Sequence, residues 1–264
     1  VAVITLVAVT PALTQDWIHY GSDLASTKYA PLDQINHGNV ASLQQTWAWA
    51  SPDNTTVAAN HLAENFSATP GAYKSTPIAV DGMLYISTSF GQVAAIDGMS
   101  GQQRWVFDTR SWEAGRPANL GYNHRGVSYW SDGSKQRIIM LSNDAWMWSI
   151  DAETGQLDAR FGNGGKVDLA VGLGKEIQRE AYTMIAAPLI YGNLVIVGSS
   201  IHDVPQFQDA PPGHVRAYDV ETGEQVWIFH TIAQPGEAGH ETWEENSWQK
   251  VGNTNVRTQM SADA

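Results

Sequence analysis

The side chains available for chemistry in this chain are carboxylates, guanidiniums, hydroxyls and imidazoles: it has eight histidines and no cysteine. Thiol catalysis, cysteine-zinc sites and a disulfide scaffold are thereby excluded. HRGVSYW (124–130) carries Arg125 at the mouth of an apolar strand. A guanidinium fork there can grip a carboxylate at two points, or make an ordinary strand-end salt bridge. VIVGSSIHD (195–203) ends in Asp203, a carboxylate just past an apolar strand. Such a group can ligate a hard cation or simply solvate a loop. No well-supported carboxylate pair emerges, so glycoside hydrolysis ranks last among the chemistries. With 27 acidic against 15 basic residues the formal net charge is −12. That argues against nucleic acid or an anionic membrane surface as partner and is compatible with a cationic metal site.

The elements that must position these residues are written as a repeat. VAAIDGMSGQQRWVF (93–107), MWSIDAETGQLDARF (147–161) and VRAYDVETGEQVWIF (215–229) share one pattern. Hydrophobic and small residues alternate up to Asp97, Asp151 and Asp219. A short loop with Gly101, Gly155 or Gly223 follows, then an aromatic-bearing strand with Trp105 and Phe107, Phe161, or Trp227 and Phe229. Alternation marks half-buried strands, Asp and Thr bond to the turn backbone, and Gly supplies positive φ. Upstream of each lies another strand pair: 76–89 with a DG turn, 126–142 with SDGSK, and 187–200 with YGN. Four strands per repeat, iterated, predict an all-β chain, a β-propeller of four-stranded antiparallel blades. The second repeat is longer than the first, which fits an insertion at 161–180. The strand-like LQQTWAWA (43–50) and the 243–264 stretch read as partial units at the two ends.

The organisation predicted is a secretory remnant at 1–15 followed by a partial propeller of about three to four blades at 16–264. VAVITLVAVTPAL (1–13) has the apolar run and small-residue end of a signal peptide, without an initiator Met or a basic leader. That places the mature protein in the periplasm. Among expectations of extent, the chain reads as the N-terminal part of a longer propeller.

Several segments, in order along the chain, resemble the pyrroloquinoline quinone (PQQ)-dependent dehydrogenases. They are 16–49, YKSTPIAVDGMLYIST (73–88), HRGVSYW, VIVGSSIHD and GHVRAYDVETGEQVWIFHTIAQPGEAGHETW (213–243). The likeness looks closer to the membrane-type glucose dehydrogenase branch than to methanol dehydrogenase. It implies an eight-bladed quinoprotein propeller with PQQ and Ca²⁺ on the axis, oxidising an alcohol or aldose sugar. Electrons would pass to a periplasmic or membrane acceptor, a cytochrome or a quinone.

By that resemblance Arg125 binds a PQQ carboxylate and the quinone edge, Asp203 is a calcium ligand, and Ser142 bonds a PQQ carboxylate. Ser200, Ile201 and His202 line the pocket beside Asp203, although a lone histidine such as His202 or His124 more often reads as a plain loop histidine. Three positions depart from the family pattern. Lys74 stands where several members carry Glu, Asn119-Leu120 where some carry adjacent cysteines, and Arg257 where a tryptophan stacks under PQQ. A guanidinium can stack on a flat ring, but the exchange changes the floor of the site. The family's catalytic Asp has no counterpart within 1–264, so no general base is assigned. The rival expectation is a non-catalytic PQQ-like propeller serving as an envelope scaffold or assembly protein.

Overall fold

A computed structural model describes residues 15–60, 73–117, 121–202 and 210–263. The signal remnant therefore lies almost wholly outside the described residues, as do Asn119, Leu120 and Asp203.

Three antiparallel four-stranded sheets follow one another. The first holds β1 (Ile78–Val80), β2 (Met83–Ser87), β3 (Gln92–Asp97) and β4 (Gln103–Asp108) in that order. The second holds β5 (Ser128–Ser131), β6 (Gln136–Leu141), β7 (Trp146–Asp151) and β8 (Lys166–Asp168). A two-residue strand, β9 (Tyr182–Thr183), precedes the third, which is β10 (Leu189–Tyr191), β11 (Leu194–Val197), β13 (Val215–Asp219) and β14 (Gln225–Phe229). Between β11 and β13, β12 (Ser200–Ile201) leaves the sheet and pairs with β9, matching Ser200 to Thr183. The predicted meander blades are thus realised, and among the described residues no helix is long and apolar enough to cross a membrane.

Alternation explains the stacking. In β6, Ile138 and Met140 face the first sheet, in a cluster with Ile78, Tyr85, Val93 and Ala95. Ile139 and Leu141 face the third, beside Val195, Val197 and Tyr218. A strand covered on both faces must be apolar at every position, which is why the middle strands read as near-continuous hydrophobic runs.

The Asp/Gly motif is the hairpin joining the two outer strands of the first and third blades, and in the second the same turn closes the end of β7. Asp97 Oδ1 accepts from the Met99 and Ser100 backbones, Asp151 Oδ1 from Thr154, and Asp219 Oδ1 from Glu221 and Thr222. The glycine amide then returns to the Asp carbonyl at 2.8–2.9 Å in all three. The glycine also has a second reason. A Cβ on Gly101 would stand 2.5 Å from the Trp47 ring and one on Gly155 2.6 Å from the Trp105 ring, while one on Gly223 would meet Val167 Cγ2 at 2.6 Å first and Phe161 at 3.3 Å. Each blade's turn is therefore the seat for an aromatic carried by the preceding unit. Trp47 and Trp105 secure the seat by donating Nε1–H to Gly98 O (3.1 Å) and Ala152 O (3.0 Å).

Three expectations change. Phe161 is not on a strand: Gly162, Gly164 and Gly165 all have positive φ and reverse the chain, so the residue turns inward and is fully buried. The fourth strand comes instead from Lys166–Asp168, inside what reads in sequence as an insertion. Residues 43–50 form no ladder; Trp47 and Trp49 hold the segment by their ring nitrogens, Trp49 donating to Gln103 Oε1. A short helix, α1 (Asp53–Ala59), has no counterpart in the strand pattern.

Candidate cofactor site

Of the described residues that the resemblance singles out, Arg125 and Arg257 meet directly, and Lys74 lies two residues from Thr76, which bonds Arg125. The loop 121–126 supplies the centre. Arg125 donates its amide to Ile185 O (2.9 Å) and accepts the Thr76 amide on its carbonyl (3.0 Å). Its side chain donates Nη1–H to Arg257 O at 2.8 Å. Lys74 itself is exposed. A crevice beside Arg125 is lined by Leu141, Ile185, Ser199 and Arg257, which brings the second sheet, the third sheet and the 252–262 segment together.

Arg125 is half-buried, and among the described residues no carboxylate makes an ion pair with it. The strand-end salt bridge that its sequence position allows is not what this arginine makes. One edge of the guanidinium is fixed by a backbone carbonyl, and among the described residues its remaining N–H groups meet no carboxylate. A partly desolvated cation held in this way attracts an anion in fork geometry.

The hydroxyl set is less uniform. Ser200 and Ile201 are buried on β12, and His202 follows, half-buried. Thr183 was not legible in sequence, because AYTMI reads as a short apolar run. In the structure it lies opposite Ser200, is 1% exposed, and donates its hydroxyl to Ser200 O at 2.9 Å. Ser142 is wholly buried, donates to Asp144 Oδ1 and accepts Trp148 Nε1–H at 2.9 Å. Its hydrogen is thus committed within its own turn, and burial raises the Asp144 carboxyl pKa, with the Ser142 bond opposing it.

His124 is buried as a neutral ring. Burial, reinforced by the Arg125 charge, pushes its pKa down to about 4. Gly126 N donates to His124 Nδ1 at 3.3 Å, which makes Nδ1 the acceptor and Nε2–H the donor to Leu141 O.

For PQQ the fit in kind rests on Arg125, a guanidinium with no carboxylate partner among the described residues, since the Ser142 and Thr183 hydroxyls donate within the protein. For calcium, the described residues contain no group of three or more His, Asp or Glu side chains placed to hold a metal, and Asp203 lies outside them.

Comparison with known proteins gives the family and the fold. The chain is 30% identical to quinate/shikimate dehydrogenase (quinone) of Acinetobacter baylyi over 92% of its own length and 32% of that protein's. It is 31% identical to quinoprotein glucose dehydrogenase of Gluconobacter oxydans over 81% of the chain and 27% of that protein. The crystal structure of quinohemoprotein alcohol dehydrogenase from Comamonas testosteroni superposes with a TM-score of 0.69 at 24% identity, covering 94% of this chain and 33% of that one, a likeness of fold. The chain spans about a third of the length of the curated relatives it matches. Residues 17–264 match the family model described as PQQ glucose/ethanol/alcohol dehydrogenase, β-propeller domain, and the chain belongs to that family.

Proposed function

We propose that this propeller segment forms one side of the PQQ site of a periplasmic dehydrogenase that oxidises an alcohol or sugar hydroxyl. The observation that carries the reading is Arg125, a half-buried guanidinium fixed at the junction of three sheets with no carboxylate partner among the described residues. Arg125 binds a PQQ carboxylate. Lys74 adds a second cation at the exposed edge of the rim. Ser200 and Thr183 shape the wall, and Ile201 and His202 continue it. Arg257 takes the floor, where a guanidinium plane replaces an indole. When bound, PQQ supplies an ortho-quinone that takes two electrons from the substrate's carbinol carbon. Asp203 would supply one oxygen ligand to Ca²⁺, a hard cation that needs six or more. The names of the relatives, glucose, quinate or shikimate, and alcohol dehydrogenases, support a hydroxylated small-molecule substrate; the electrons pass on to a cytochrome or quinone.

The test is made on the full-length gene product, loaded with PQQ and Ca²⁺ and presented with glucose, quinate and ethanol beside an electron-accepting dye. Dye reduction with at least one of the three is expected. A protein that gives neither a quinoprotein absorbance nor dye reduction, with PQQ in excess, overturns the catalytic reading in favour of a scaffold.

A further inference from the structure

We infer that His124 is the positioning residue for Arg125, a three-way staple that sets the guanidinium at the rim. The inference rests on the role proposed for Arg125, and it comes from a residue that reads in sequence as an ordinary loop histidine.

The loop 121–126 has no ladder of its own; its place is fixed by hydrogen bonds to other elements. His124 lies 1% exposed at its centre. Its Nδ1 stands 3.0 Å from Ser87 Oγ at the end of β2, and Ser87 Oγ is 3.0 Å from Ser75 Oγ, next to Lys74. Its Nε2–H reaches Leu141 O, the last residue of β6. One ring thus ties the ends of strands in two blades. Because Gly126 N also donates to Nδ1, the ring bonds the backbone on the far side of Arg125. Arg125 is bracketed between the histidine and the amide that the histidine holds. Gly126 can serve here because its φ is +148° and a Cβ would stand 3.1 Å from Thr76 O.

The staple works with one proton arrangement. Nδ1 must accept, so the ring must be neutral. The groups that face it are uncharged from β2 (Ser87) and from β6 (the Leu141 carbonyl); the charged group acting on it is Arg125 itself. Protonation would replace the acceptor with a second donor facing Gly126 N–H, and would place a second cation beside Arg125. Acid strong enough to protonate His124 therefore removes the acceptor that holds the loop.

The experiment uses the full-length gene product with two readouts. The first is the ¹⁵N relaxation of the Arg125 Nε–H in the absence of cofactor. The second is the dissociation constant for PQQ in wild type, H124F, H124N, R125Q and H124F/R125Q. H124N is the gentler variant, since its Oδ1 can still accept from Gly126 N–H. We expect an ordered Arg125 signal in wild type that becomes mobile in H124F, with H124N between. We expect R125Q and H124F each to weaken PQQ about tenfold or more, the scale of a lost charge-assisted hydrogen bond, and the double variant to be no weaker than R125Q. If Arg125 is equally ordered in wild type, H124F and H124N, the positioning role is overturned, whatever the affinities. Losses that multiply in the double variant also overturn it, because they show independent effects. If Arg125 is released in H124F but R125Q binds PQQ as wild type does, the staple stands and the assignment of Arg125 to the cofactor fails.

Discussion

Replacing Gly155 by alanine isolates the contact that spaces one sheet from the next. Gly155 has φ +73°, and a Cβ there would lie 2.6 Å from the Trp105 ring. Gly82, in the β1–β2 hairpin, has φ +76° with nothing within 4 Å of the same Cβ. The two positions share the backbone strain and differ in the docking contact. Left-handed backbone costs an L-residue about 1–2 kcal/mol. Overpacking against a ring that cannot retreat adds roughly 1–3 kcal/mol. Trp105 cannot retreat freely, since its Nε1–H is bonded to Ala152 O and its ring packs 5.9 Å from Tyr85. Gly155→Ala should therefore destabilise by about 2–5 kcal/mol and Gly82→Ala by only about 1–2 kcal/mol. Urea denaturation of both variants measures the gap. A cycle with Trp105→Ala completes the test, because removing the ring should relieve the clash and make the double variant less damaged than the sum of the singles. Equal losses at Gly155 and Gly82, or simple additivity in the cycle, would refute the seat-and-aromatic account of blade spacing.

Further outcomes follow from other residues. Trp227 occupies on the third blade the place of Trp105 on the first but is 37% exposed, so in this chain Trp227→Ala should change stability by less than about 0.5 kcal/mol while Trp105→Ala costs about 3 kcal/mol; paired thermal melts separate them. His124 and His214 are both pushed down to about 4, in each case chiefly by burial. Their folded pKa values lie below the ordinary 6.5, so the unfolded chain takes up protons that the folded one refuses. Stability should be flat above about pH 6.5 and fall toward pH 4 by up to about 1.4 kcal/mol per pH unit for each ring, with H124N removing one ring's share of the slope; denaturation midpoints between pH 4 and 8 show it. Arg216 is fully buried and donates to Leu169 O, Val171 O and Tyr182 Oη. Arg216→Met should cost about 2–4 kcal/mol by leaving these acceptors unpaired and should speed amide exchange in 169–175 ahead of the sheets.

Much of the architecture was readable because it is written in short-range terms. Asp97, Asp151 and Asp219 announce their turns through residues three and four positions on, and alternation in β6 announces two buried faces. What sequence did not disclose is long-range. Phe161 follows the motif's spacing, yet three positive-φ glycines after it redirect the chain. Thr183 and Ser200 face each other only because β9 and β12 leave their neighbouring sheets to pair. At the site, Arg125, Lys74 and Ser142 were legible only through the family resemblance, and the commitment of the Ser142 proton to Asp144 was not legible at all. His124 gave little local signal: apart from Gly126 its partners are 37 and 17 residues away, and its role exists only after two sheets have assembled.

The central claim is that Arg125 stands at the junction of the three sheets as an anion-binding group for a quinone cofactor. It is tested most directly by equilibrium titration of PQQ into the full-length gene product and its R125Q variant, followed by tryptophan fluorescence at neutral pH. The account predicts saturable binding by the wild type and at least about tenfold weaker binding by R125Q, with unchanged thermal stability in the absence of cofactor. Equal affinity in the two proteins, or no saturable binding by either, contradicts it.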